Sequence, residues 1–217
     1  HALSTDKALR TLGPDGYAKF AGDPLFIIGV DDARIKWPYV HPGPNDPWAG
    51  SRAHTFSVVF GLAVAPAAPA RLVVDCADTH SSGPPRLAVS VNGRGLAQMA
   101  CPPGAGDDSV KGNPKAGKPW RFVVDIPTDA MRPGNNILRI ANFAGSWLLY
   151  DSLALVSAGQ LEAKPVEPSF VAQGFESPPV LVRRNGELRQ LVRIRGTRIG
   201  PATKALVRVG SGEAVSA

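Results

Sequence analysis

Two cysteines and four histidines in 217 residues are too few for a disulfide scaffold, and Cys76 and Cys101 cannot hold zinc without histidine help. The pair reads either as bridged neighbours or as two small buried thiols, which leaves the compartment open. No apolar run approaches the roughly 18–20 residues of a membrane span, so no membrane partner is expected. HALSTDKALRTLGPDG has no apolar stretch after its charges and does not read as a signal peptide. The sequence also lacks G-x-S-x-G, H-E-x-x-H, a Walker loop and G-x-G-x-x-G, so the familiar hydrolytic, metalloprotease and nucleotide chemistries have no motif to rest on.

Chain breakers are plentiful instead: glycine (23) and proline (21) take about a fifth of the positions. With 44% hydrophobic residues the chain can bury a core, which excludes global disorder. The net charge of +6 would permit an anionic partner. Its densest set, Arg183, Arg184, Arg189, Arg193, Arg195 and Arg198, has no interleaved aromatics for base stacking, so no nucleic acid is expected. These arginines read as the solvated face of strands whose Leu181, Leu188, Val192 and Ile194 point inward.

The dominant periodicity is two. LFIIGV (25–30) reads as a short, fully apolar strand. HTFSVVFGL (54–62) alternates, with Phe56, Val58, Phe60 and Leu62 on one face and Thr55, Ser57 and Val59 on the other. ARLVVDCAD (70–78) follows. RLAVSVNGRGLAQM (86–99) is a hairpin turning at Asn92-Gly93, where both residues need positive φ. WRFVVDIP (120–127) puts Trp120, Phe122, Val124 and Ile126 on one side, and NNILRIANF and SWLLYDSLALVSA complete the series. Seven or so short strands at 8–12-residue spacing, without a long amphipathic helix, predict an all-β fold: a jelly-roll β-sandwich followed by a partial Ig-like β segment. The expected division is an N-terminal lead (1–13, with one helical turn capped by Ser4), the jelly roll (14–158), a proline-rich linker (159–179) and the Ig-like segment (180–217).

Candidate chemistry concentrates in WPYVHPGPNDPWAGSRAHTF (37–56). Trp37, Tyr39, His41, Trp48, Arg52 and His54 stand among prolines and glycines, and a stiff loop loses little entropy on presenting aromatics. Sugars stack their C–H faces on flat rings while charged and amide groups bond the hydroxyls, so this mixture suits a sugar platform. The alternative is a long connection whose aromatics plug one end of the sandwich. Asp78 with His80, and Asp107 with Asp108, form oxygen-rich turns suited to hydroxyl recognition or to solvation. A structural calcium there has weak support, because the spacing lacks an EF-hand pattern. His1 raises a copper centre made with the terminal amine and a second histidine, but a purification-tag remnant gives the same residue. No metal and no cofactor are therefore assigned, and no catalytic residue.

The stretches FIIGVDDARIKWPYVHPGPNDPWAGSRAHTFSVVFGL, LVVDCADTH, PPRLAVSVNG, GAGDDSVKG and NNILRIANFAGSWLLYDSLAL resemble the carbohydrate-binding-like third domain of rhamnogalacturonan lyases, polysaccharide lyase family 4. Similar domains are fused to bacterial α-mannosidase-like glycosidases, and LVRRNGELRQLVRIRG resembles the Ig-like strands that follow them. The resemblance spans residues 14–157. It implies a non-catalytic accessory module that binds a plant or microbial polysaccharide or oligosaccharide, beside a catalytic domain of the same polypeptide; the localisation is left open, a secreted or periplasmic setting being favoured. It places the contacts at Trp37, Tyr39, His41, Trp48, Arg52, His54, Asp78, His80, Asp107 and Asp108. Of Trp147 and Tyr150, three apart on a strand, at most one is expected to be exposed. Two other readings stand beside this one: a polysaccharide lyase, and a docking domain that only braces a neighbour.

Overall fold

The computed structural model describes Tyr17, residues 23–201, and the backbone of 206–207 and 215–216. His1 and the turn at Ser4 lie outside the described residues. The chain divides into two compact units, His1–Val166 and Glu167–Ala217.

The first unit is a jelly-roll β-sandwich. Its larger sheet runs β1 (Leu25–Ile27), β3 (His54–Leu62), β8 (Gly134–Ala144), β5 (Arg86–Val91), β6 (Arg94–Ala100), with β10 (Ala163–Lys164) also paired to β3. The smaller sheet runs β2 (Val40–His41), β9 (Leu148–Ser157), β4 (Ala70–Thr79), β7 (Trp120–Ile126). The two-residue alternation builds the core between them. Phe56, Leu87, Val89, Leu138 and Ile140 face Leu72, Val74, Phe122, Val124 and Ile126, all buried. Fully burying one such side chain is worth roughly 1.5–3 kcal/mol.

The β5–β6 hairpin turns where expected. Asn92 (φ 53°) and Gly93 (φ 85°) are both left-handed, and the Asn92 side chain locks the turn to Ala130 O, Asn136 Oδ1 and the Ile137 N–H. Trp120, Phe122, Val124 and Ile126 do share the inner side of β7, though Trp120 at the strand's start is only half-buried.

Several local expectations are corrected. LFIIGV is a strand only over Leu25–Ile27, paired parallel to β3. The chain then turns through Gly29 (φ 81°), which leaves Ile28 and Val30 exposed. On β3 burial does not follow the alternation, since Ser57 and Val59 on the face opposite Phe56 are buried while Val58 on its own face is half-buried. Trp147 and Tyr150 are both buried. Trp147 precedes β9 and escapes its alternation, and the β4–β9 register shifts around Cys76. Cys76 and Cys101 are free, buried thiols, and burial pushes the Cys101 thiol up to about 12.

In the second unit β11 (Ser169–Glu176) pairs with β14 (Arg193–Ile199), and β12 (Leu181–Arg184) with β13 (Glu187–Gln190) across an Asn185-Gly186 turn. Strands thus occupy part of the stretch read as a linker. Leu181 and Leu188 are exposed, not turned inward, because among the described residues no second layer covers a face of this two-stranded ribbon, and Val192, between β13 and β14, is exposed as well.

Candidate functional site

The aromatic loop is folded mostly inward. Asp32 caps the short helix α1 (Ala33–Lys36), accepting the Arg34 N–H at 2.9 Å. The chain leaves α1 at Trp37, which packs edge-on to Phe56 with ring centroids 5.2 Å apart. Tyr39 is buried and its carbonyl accepts the Tyr150 N–H at 2.8 Å. Pairing of Val40 and His41 with β9 draws the next residues into the smaller sheet. His41 then lies between the sheets, its Nε2 donating to His54 O and its Nδ1 accepting from the Tyr150 hydroxyl, both at 2.9 Å. Burial holds the His41 pKa down to about 3, so the ring is neutral. Trp37, Tyr39, His41 and His54 are therefore buried residues, and of these Trp37 and Tyr39 line a small pocket of about 120 Å³ with Phe26, Ile28 and Tyr150. Sequence pattern shows that a loop is aromatic but not which way its rings turn.

Trp48 remains outside, 40% exposed, in a 3-10 turn over Pro47–Ala49 that closes on Gly50 at φ 89°. The buried Asp46 organises this turn. Its Oδ2 accepts the Gly43 N–H at 2.8 Å, its Oδ1 accepts the Ser146 hydroxyl at 2.5 Å, and its carbonyl accepts the Ala49 and Ser51 N–H groups. Burial raises its pKa against the pull of those bonds. On the other side Tyr17 meets Trp48 edge-on at 5.7 Å and bonds His54 Nδ1 at 3.0 Å. Asp23 ties Arg52 and His54 Nδ1, each at 2.8 Å, and the Thr55 N–H at 2.7 Å. Burial would raise the Asp23 pKa, but the bonds from His54, Arg52 and Thr55 outweigh it and hold it low. Arg52 stays half exposed on this frame.

Neighbouring loops are laced to the same end. Asn45 N–H donates to Gly145 O, Ser146 N–H to Gly83 O, and His80 N–H to Trp147 O. His80 is half-buried, its Nδ1 accepting the Gly83 N–H at 2.9 Å. Asp78 is fully buried and acts as a latch rather than a contact. Its carboxylate accepts the N–H groups of Thr79, Ala105 and Lys118 and the Ser109 hydroxyl. Gly104 and Gly117 let the 101–119 loop press this closely, since a side chain at 104 would collide with Thr79 O and Asp78 Oδ1. Asp107 and Asp108 are exposed, with Asp107 paired to Lys111 at 3.3 Å. Among the described residues no three histidine, cysteine or acidic side chains stand together as metal ligands.

Sequence reading missed Tyr17, Asp23, Asp46, Asn142 and Ser146. Only Asp46, between two prolines in P-N-D-P, carried a local turn signal. The others act mainly across the fold: Ser146 donates to Asp46 Oδ1, and Asn142 Nδ2 donates to His41 O at 3.4 Å as well as to the nearby Ser146 O at 2.7 Å.

The family model for the CBM-like domain III of polysaccharide lyase family 4 matches residues 5–155. The chain belongs to this family. As a domain III it is a carbohydrate-binding-module-like domain by kinship. No curated protein matches it. Solved structures similar to it include a family 35 carbohydrate-binding module from an environmental isolate, with 18% identity, TM-score 0.34, and coverage of 52% of this chain and 72% of that one. A second is the CBM35 of Cellvibrio japonicus Abf62, with 16% identity, TM-score 0.33, and coverage of 53% and 70%. A third is the acetyl xylan esterase Est2A of Butyrivibrio proteoclasticus, with 14% identity, TM-score 0.25, and coverage of 52% and 25%.

Proposed function

We propose that this domain III is a non-catalytic accessory module that holds a glycan at the loop end of its sandwich, for a catalytic domain of the same polypeptide. Exposure of Trp48 on a turn pinned by Asp46 and Gly50 carries the reading. A sugar ring stacks its C–H face on the indole, and Arg52 donates to hydroxyls beside it. Asn45 and His80 lie on adjoining loops of that end. The turn is already rigid, so binding costs little ordering. A single site of this kind is weak and gains through avidity with the linked enzyme.

Calorimetric titration with pectic, mannan and hemicellulosic oligosaccharides tests this. At least one is expected to bind, and Trp48→Ala to weaken it by about tenfold or more, with only a small fall in melting temperature from the lost contact with Tyr17. Absence of heat with every glycan overturns it. Burial of Trp37 and Tyr39 favours a second reading, a brace for a neighbouring domain. That role predicts no glycan heat at all, and loss of thermal stability in the parent enzyme when this module is removed.

A further inference from the structure

β7 closes one side of the smaller sheet, and among the described residues no strand and no main-chain hydrogen bond reaches its far edge. Open edges are commonly guarded by lysine, an internal proline, a bulge or an inward-pointing charge. β7 has none of these. It reads WRFVVDI, its pairing with β4 runs unbroken from Ala70–Ile126 to Cys76–Trp120, and its inward side chains are Trp120, Phe122, Val124 and Ile126. The two charges it does carry, Arg121 and Asp125, are opposite in sign and stand two places to either side of Val123.

That spacing makes the strand complementary to itself. Laid antiparallel to a second copy about Val123, it sets Val123 against its own counterpart, Arg121 against Asp125 on both sides, and Phe122 against Val124. Both charges are already paired along the sheet, Arg121 to Asp75 at 2.6 Å and Asp125 to Arg71 at 3.2 Å, and self-pairing keeps those pairs. It extends each into a row Asp75–Arg121–Asp125–Arg71 that alternates in sign across four strands. A guanidinium has donors enough for two carboxylates, and Asp125, 84% exposed, has lone pairs to spare. Between the rows Ala154, Val73 and the exposed Val123 form an apolar stripe that the second copy continues. The long edge of the larger sheet, β6, lacks this property: its register with β5 shifts at Val89–Ser90, and reversal about Ala97 faces Arg94 with Ala100.

We propose that β7 is a self-association edge, which joins two copies of this chain about a two-fold axis at Val123 and merges their four-stranded sheets into one. Main-chain bonds supply the attraction, and the two Arg121–Asp125 pairings fix the register, because a slip along the strand separates them. The 101–119 loop leads into β7, so antiparallel pairing points the loop ends of the two copies in opposite directions. On the accessory-module reading such a pair links two glycan chains rather than gripping one; the self-pairing itself does not rest on that reading.

The test is analytical ultracentrifugation of the full chain. Two facing strands make a small interface, so dimer is expected to fill between about 10 μM and about 1 mM, with rising hydrogen-exchange protection of amides in 120–126. Val123→Lys and Val123→Glu, at an exposed position, each set like charges face to face on the axis and are expected to weaken association at least tenfold. Mixed in equal amounts they are expected to restore it, since lysine then meets glutamate. Asp125→Lys, which places like charge against Arg121 on both sides, serves if the Val123 variants do not fold. A chain that stays monomeric throughout, a dimer that survives these substitutions, or a mixture of the two Val123 variants that fails to associate would each overturn the proposal.

Discussion

The imidazole of His41 lies flat on the ring of Phe56, with centroids 3.7 Å apart and planes within 5°. A histidine expected to meet a ligand is instead a neutral member of an aromatic core. Its two nitrogens are fully used by His54 O and the Tyr150 hydroxyl, and Tyr150 is itself buried.

That placement makes the fold acid-sensitive. His41 titrates near 6.5 when unfolded and near 3 when folded. Below pH 6.5 the unfolded chain therefore binds a proton that the native chain refuses. Stability present above that pH is lost as pH falls toward 3, by up to about 1.4 kcal/mol per unit. Asp46, with its raised pKa, works in the opposite direction at the acid end. Urea unfolding between pH 7 and 4 is expected to show the loss in the natural chain. His41→Gln, already less stable at pH 7, should show a flatter slope.

Asp78 is the point from which the 101–119 loop hangs. Asp78→Ala strips the acceptor from three N–H groups and one hydroxyl at a fully buried position. A cost of about 3 kcal/mol or more is expected in the urea midpoint. Hydrogen exchange at Ala105 and Lys118 should accelerate. Asp78→Asn keeps one oxygen for the N–H groups, and the Ser109 hydroxyl can turn to accept from the new amide, so its loss should be about half as large.

Gly104 should not tolerate a side chain. The atoms that a Cβ would strike include the Thr79 carbonyl, which is main chain and cannot rotate away. Gly104→Ala is expected to cost about 1–3 kcal/mol. Gly95→Ala, where nothing lies within 4 Å, should stay within about 0.5 kcal/mol of the natural chain. Paired thermal melts of the two variants check both.

What the sequence reveals and conceals follows from how local each signal is. Asn92-Gly93 dictates its turn by backbone conformation alone, and Phe122, Val124 and Ile126 declare the inner side of β7 by alternation. Both needed only neighbours in the chain. Trp37, Tyr39 and His41 had the composition of a display loop, yet two residues of pairing with β9 turned them inward. Such pairing joins positions over a hundred residues apart, and no local window contains it. Leu181 and Leu188 failed for the complementary reason: their alternation is real, but the ribbon they belong to offers nothing to bury them.

The short strand β10 returns to the sheet opposite its predecessor β9, where Ala163 and Lys164 sit against Leu62 and Gly61. With β1 on the same side of β3, it covers main-chain groups that would otherwise be open to solvent. A proteolytic nick after Ala158 would release this clip and bare a ready template for intermolecular strand addition. Self-association of the clipped fragments, rather than simple loss of a tail, would be the penalty for trimming the jelly roll at its closing strand.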